Sequence, residues 1–152
     1  MDNLKTIKEI IIDLLKRMNF DGKVDVDISD ENNILANIQT EQANFLIGQS
    51  GANLDALQHI IRIIINKKSN EFVHFILDVN NYRKYRIELL KELAENVAKQ
   101  VLTEKVAVTL RPMTAYDRRI VHLALANNSQ IVTESIGNGT ERKITIKSLL
   151  TE

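Results

Sequence analysis

The sequence predicts an α+β protein made of two small domains in tandem, and three observations carry that reading. Apolar residues change period repeatedly along the chain, from spacings of three and four to strict alternation, so helices and strands are interspersed. The 152 residues suit one ordinary domain or two small ones. Charge is unevenly placed: the formal net charge is zero, yet residues 1–80 carry 8 Lys or Arg against 12 Asp or Glu, and residues 81–152 carry 12 against 8. The second half is therefore the better candidate for touching phosphates. The boundary is expected near residue 80, giving domains 1–80 and 81–152. With no glycine- or proline-rich linker there, the halves are expected to pack together.

The first element is an amphipathic helix: Leu4, Ile7, Ile11, Leu14, Leu15 and Met18 fall at helical spacing, with Lys and Asp residues opposite. Asp21-Gly22 closes it. Val24, Val26 and Ile28, then Ile34, Ala36 and Ile38, alternate with polar residues about the turn Asp30-Glu31-Asn32-Asn33, which predicts a hairpin. Residues 41–47 form a short helix or turn delivering a loop bounded by Gly48 and Gly51. The next helix carries Leu54, Leu57, Ile61, Ile64 and Ile65 on one face, widened by Ile60 and Ile63, and so is expected to be more deeply buried than the first. Residues 72–79 are apolar on both faces, as a central strand would be. Together these elements predict a sheet covered on one face by helices, with the glycine loop at its edge and an open groove along the neighbouring strand.

In the second half, Asn80-Asn81 supplies a cap signal for a helix through Tyr82, Tyr85, Leu89, Leu90, Leu93, Val97 and Val101. Val106, Val108 and Leu110 predict a strand that stops at Arg111-Pro112, followed by a helix capped by Thr114 in which Tyr116, Ile120, Leu123 and Ala124 point one way. Residues 130–136 and 142–146 predict two strands about Gly137-Asn138-Gly139-Thr140, with Lys143, Thr145 and Lys147 projecting from one side of the last. Ser148 to Glu152 is expected to fray.

Composition excludes several classes. Hydrophobic content of 44% can build a core, but no stretch of about 18 uncharged apolar residues exists, so no membrane insertion is expected. The amino terminus lacks a signal-peptide layout, which predicts a cytoplasmic protein. There is no cysteine, and His59, His74 and His122 are scattered singly, so neither a metal site nor a cofactor is expected. His59 and His74 read as core or edge residues.

Two motifs bear on chemistry. Glycines at both ends of Gly48-Gln49-Ser50-Gly51 let the main chain come close to a ligand, while the first N–H groups of the following helix carry its positive dipole end. That is a place to hold a phosphate backbone, although the spacing alone fits an ordinary turn equally well. Replacing both glycines by Asp is expected to leave the fold intact. Arg118 and His122, four residues apart, share a helix face with Arg119 beside them; a guanidinium grips phosphate through paired N–H donors and a nearby imidazole adds another. The same spacing fits an exposed arginine and a histidine satisfied by a neighbouring carbonyl.

The segment Leu46-Ile47-Gly48-Gln49-Ser50-Gly51-Ala52-Asn53-Leu54-Asp55-Ala56-Leu57-Gln58, followed by Leu77-Asp78-Val79-Asn80-Asn81-Tyr82-Arg83, resembles the KH domain of the bacterial Jag, or KhpB, family. Arg111-Pro112-Met113, the run from Asp117 to Leu125, and Thr133-Glu134-Ser135 resemble that family's second, R-x-x-x-H domain. The resemblance implies a type II-like KH domain packed with a small α/β domain. It implies single-stranded RNA binding by Gly48, Gln49, Ser50 and Gly51, with Arg118, Arg119 and His122 supplying charge and Arg142 and Lys143 as further candidates. It also implies post-transcriptional regulation or RNA chaperoning tied to bacterial cell elongation and division, without catalysis, and pairing with a small KH-only partner or a second copy. Family members usually carry a Lys or Arg after the first loop glycine, whereas this chain has uncharged Gln49-Ser50, and the family's extra amino-terminal domain is expected to be absent. Two rivals remain: an adaptor using the KH surface to bind protein, and a phosphoesterase built on Asp117, Arg118 and His122.

Overall fold

The computed structural model describes residues 2–28, 33–69 and 72–149. The turn residues Asp30, Glu31 and Asn32, the helix-ending Asn70 and the last residues 150–152 lie outside the described residues. The chain forms two compact units, the first ending at Arg83 and the second beginning at Lys84.

The first unit contains α1 (Asp2–Arg17), β1 (Lys23–Ile28), β2 (Ile34–Gln39), α2 (Ala43–Ile47), α3 (Ala52–Ser69) and β3 (Phe75–Val79). The strands run in the order β1-β2-β3, with β1 antiparallel and β3 parallel to β2. Register puts Val24, Ile38 and Val79 in one row and Val26, Ala36 and Leu77 in the next. Because side chains alternate between faces, these rows form one apolar face. It closes on Ile7, Ile10, Ile11 and Leu15 of α1 and Leu54, Leu57, Ile61 and Ile65 of α3, which gives the expected sheet covered on one face by helices.

Three expectations change. β3 lies at the sheet edge, not its centre, and β2 takes the central place. Only Phe75, Leu77 and Val79 are fully buried there, while Phe72 precedes the strand and is 76% exposed. Nor is α3 buried more widely than α1: Ile60 and Ile63 are about half exposed, on the side away from the sheet. His59 and His74 are both exposed, so neither is a core residue.

The second unit takes most of α4 (Tyr82–Glu104), then β4 (Val108–Thr109), α5 (Ala115–Leu125), β5 (Ile131–Ile136) and β6 (Lys143–Ser148). Its sheet is antiparallel in the order β4-β6-β5. Leu90, Ala94, Val97, Ala98 and Val101 of α4 and Ile120, Val121 and Leu125 of α5 cover Ile144 and Ile146 of the central strand. Ser148, expected to fray, is buried and pairs with Ile131.

The start of α4 is capped differently from the expectation. Asn80 and Asn81 both take positive φ (49° and 58°), and the Asp78 carboxylate accepts the main-chain N–H of Arg83 at 3.2 Å. Burial raises the Asp78 carboxyl above its ordinary value, opposed by N–H bonds from Val79 and Arg83. Asn80 serves the sheet instead: its amide accepts from Thr40 N–H at 3.0 Å and donates to Thr40 C=O at 2.8 Å. In α5 the Thr114 cap is as expected, accepting from Asp117 N–H. The buried face of that helix is rotated, however: Tyr116 and Leu123 are 57% and 63% exposed, and Asp117 points inward.

Candidate nucleic-acid interface

The glycine loop is built from α2, whose five residues end at Ile47 with Gly48 N–H donating to Asn44 C=O at 3.0 Å. Gly48 has φ 69° and ψ −173°, a region essentially closed to side chains, and a Cβ there would meet the Asn53 side chain at 2.5 Å. Asn53 is fixed because its amide donates to Phe45 C=O at 2.8 Å, tying the start of α3 back to α2. Gly51, at φ 84°, is buried, with the Tyr82 ring 3.1 Å from where a Cβ would stand. Both glycines are therefore structural requirements, and Asp at either position strains the fold, contrary to the expectation that they tolerate it. Gln49 and Ser50 stand exposed between them, Ser50 itself at φ 53°. Gly51 N–H donates to Gly48 C=O and Ala52 N–H to Gln49 C=O. Gln49 and Ser50 N–H are left with no partner among the described residues.

Charge here runs against a simple anion cradle. The one charged side chain in the first turn of α3 is the acidic Asp55, which already complements the positive end of the helix. Asp55 is paired with Arg83 at 3.0 Å. The nearby cleft lined by Asp21, Gly22, Gln39, Thr40, Glu41 and Gln42 also carries carboxylates and no cationic side chain. The loop offers directed N–H groups and shape, with no cation of its own.

In the second unit the charged motif is held from two sides. His122 hangs from α5 over β5, its Nδ1 2.6 Å from the Thr133 hydroxyl and its Nε2 3.2 Å from the Ser135 hydroxyl. Thr133 and Ser135 face the helices because they pair across the strand with the buried Ile146 and Ile144. Desolvation by burial, and secondarily the Arg118 guanidinium, lower the His122 pKa below its ordinary value, so the ring is held neutral near pH 7. Arg118 Nη1 donates to Met113 C=O at 2.7 Å, and Met113 N–H donates to Arg142 C=O at 3.2 Å. Arg118 and the backbone of Arg142 thus meet through one loop residue, while the neighbouring Arg119 is exposed.

Lys143 does not join this group. It sits beside Ile144 on β6 and so projects from the opposite face, together with Thr145 and Lys147; Lys147 pairs with Glu134 at 2.9 Å. Asp117 is likewise removed from the surface: 3% exposed, it receives Arg86 Nη2 at 2.7 Å and locks α5 to α4. Spacing alone did not reveal this pair. The signal available was an acid at a position of α5 that helical geometry places beside Ile120 and Val121. The signal for the hydroxyl partners of His122 was Thr133 and Ser135, two apart and so on one face of β5.

Known proteins place these motifs. Residues 88–148 match the R-three-H domain family, named for an arginine and a histidine separated by three residues. Over 147 residues the chain is 36% identical to the RNA-binding protein KhpB of Clostridium symbiosum, covering 93% of this chain and 66% of that protein. It is 35% identical over 128 residues to KhpB of Bacillus subtilis, covering 82% of this chain and 62% of that protein, and 30% identical over 143 residues to KhpB of Lactiplantibacillus plantarum, covering 94% of this chain and 44% of that protein. The chain thus spans between 44 and 66% of the length of these curated relatives. The likeness runs through both the glycine loop and the Arg118–His122 helix, and the chain belongs to the KhpB (Jag) family, with an R-three-H domain in its second unit.

Proposed function

We propose that this chain is a non-enzymatic single-stranded RNA-binding protein in which the first unit positions the strand and the second supplies the charge. The observation that carries the reading is the Gly48–Gly51 turn, where two exposed residues offer main-chain N–H groups without a partner among the described residues. Backbone donors of this kind suit phosphate oxygens and are indifferent to base identity. Arg118 and Arg119 add the electrostatic attraction, and His122 with Thr133 and Ser135 adds neutral donors beside them. Arg142, on the same loop network, is a further contact. Lys143 faces away from that network and belongs to a separate, weaker surface. A phosphoesterase role for Asp117 is disfavoured because its carboxylate is buried against Arg86.

The proposed domains are a KH domain over residues 1–80 and an R-x-x-x-H domain over residues 81–152. The family likeness extends the proposal to cytoplasmic, post-transcriptional control or RNA chaperoning linked to cell elongation and division. Among the described residues no helix is long and apolar enough to cross a membrane.

The test is fluorescence anisotropy with short labelled single-stranded RNA. Because the glycines are structural, the informative change is Gln49→Asp with Ser50→Asp, both at exposed positions and the second in a conformation that Asp tolerates. Weaker binding with an unchanged melting curve is expected. Equal affinity would remove the loop from the site. A second reading, an adaptor that docks a small KH-only partner or another copy, is favoured by Ile60 and Ile63, 49% and 53% exposed on the outer face of α3. Sedimentation of the chain alone and with RNA separates a self-associating adaptor, which forms larger species without RNA, from an RNA binder.

A further inference from the structure

The strand beside the glycine loop does not present a bare edge. β3 has one sheet neighbour, β2, so alternate residues turn their N–H and C=O away from the sheet. At Leu77 both outward groups are taken by side chains. Gln58 Oε1 accepts from Leu77 N–H at 2.8 Å, and Arg83 Nε donates to Leu77 C=O at 2.9 Å. Arg83 Nη2 also reaches Asp55 Oδ1 at 3.0 Å and Gln58 Oε1 at 3.4 Å. Asp55 and Gln58 stand one turn apart on α3, the helix that starts directly after Gly51.

The capping changes the chemistry of the edge. A bare strand residue offers one donor and one acceptor side by side. Such a pair complements adenine, whose Watson–Crick and Hoogsteen edges each set an amino donor beside a ring-nitrogen acceptor. Here the Leu77 carbonyl is consumed by Arg83, and the Gln58 carbonyl is consumed by Leu77 and Arg83. What Gln58 and Arg83 themselves keep for a ligand is the Gln58 amide NH2 and the Arg83 Nη1 group, which are donors only. Two carboxylates adjoin Arg83: Asp78 accepts its main-chain N–H at the start of α4, and Asp55 is engaged with Nη2 through Oδ1. A donor-only pair fits a base with two adjacent acceptors, such as O2 and N3 of cytosine or O6 and N7 of guanine.

Resting on the RNA-binding reading above, we propose that Gln58 and Arg83 are base-selecting residues of the first unit, which discriminate against adenine and favour bases that present paired acceptors. The test uses the full chain and labelled eight-nucleotide A8 and C8 RNAs in anisotropy titrations. Wild type is expected to bind C8 about fivefold tighter than A8. Arg83→Met, which keeps the side-chain stem and frees the Leu77 carbonyl, is expected to close that gap through tighter A8 binding. Gln58→Glu is the second variant: it keeps the acceptor for Leu77 N–H and turns the outward donor into an acceptor, so A8 gains relative to C8 even as overall affinity falls. Circular dichroism melting checks that both variants fold. A wild type that binds A8 as tightly as C8, or a ratio unmoved by both variants, overturns the proposal and leaves RNA binding itself standing. Failure of wild type to bind any of the RNAs overturns the RNA-binding reading and this proposal with it.

Discussion

On the proposed reading, the two units would handle an anionic strand in opposite ways. The first offers main chain: a turn whose glycines hold Gln49 and Ser50 outward with N–H groups that have no partner among the described residues, and with no cation in the loop itself. The second contributes side chains: Arg118 anchored on Met113 C=O, Arg119 exposed, and a neutral His122 braced by two hydroxyls. Phosphate recognition combines position and attraction, and here the two jobs fall on different stretches of sequence. If that reading holds, a loop without a cation of its own would serve as a backbone clamp with charge supplied elsewhere on the chain.

The change that breaks this division most severely is Asp117→Ala. Removing one partner of a buried ion pair costs about 3–5 kcal/mol, reduced somewhat here because the Arg86 side chain is 25% exposed. Hydrogen-exchange protection of the Val121, Ile144 and Ile146 amides is expected to fall about a hundredfold; unchanged protection would show that the pair does not organise the charged unit.

Next in size is Arg118→Ala with Arg119→Ala, expected to weaken RNA binding about tenfold or more at low salt. Each lost phosphate contact should lower the slope of log affinity against log salt by about 0.7 for a single strand. A slope that stays constant places attraction elsewhere. The converse change sharpens the contrast: Gln49→Lys puts a cation into the loop, and affinity should rise a few-fold with the slope steepened by about 0.7. No gain would mean that the loop amides do not face phosphate.

The smallest effect is in pH. The His122 pKa is lowered from its ordinary 6.5, so the unfolded chain binds protons more readily than the folded one between the two values. Stability from this group is present above about pH 6.5 and declines as pH falls towards the lowered value. RNA affinity should move the other way, rising about twofold as the imidazole gains charge next to phosphate. His122→Gln should flatten both trends, and a wild-type binding curve independent of pH between 7 and 5.5 would assign His122 a purely bracing role.

Much of this was legible in sequence wherever one physical signal dominated. Period-two alternation located β1 and β2, the glycine turn at 137–140 located β5 and β6, and the glycine pair located the loop, because only glycine serves at φ 69° with ψ −173°. What escaped was decided by tertiary partners. The apolar run of residues 72–79 reads as a buried central strand, yet chain order makes it an edge, and its exposed side is closed by Gln58 and Arg83. Asn80-Asn81 has cap composition, but Asp78 reaches the helix first and Asn80 pairs with Thr40 instead. Lys143 and Arg142 are neighbours in sequence and still part company, since alternation along β6 sends the lysine to the opposite face.

The parallel pairing of β2 with β3 also governs how the molecule comes to exist. Ala36 meets Leu77 only after the chain has made a crossover through α2, the glycine turn and α3, whereas β5 and β6 close as a local hairpin. Parallel ladders wait on loop closure, and folding slows as the contacts that matter lie further apart along the chain. The turn that holds Gln49 and Ser50 lies in the middle of that crossover, so the proposed RNA loop is also part of the folding connection of its unit. Lengthening it to gain reach for RNA would also lengthen the path by which β3 finds its place.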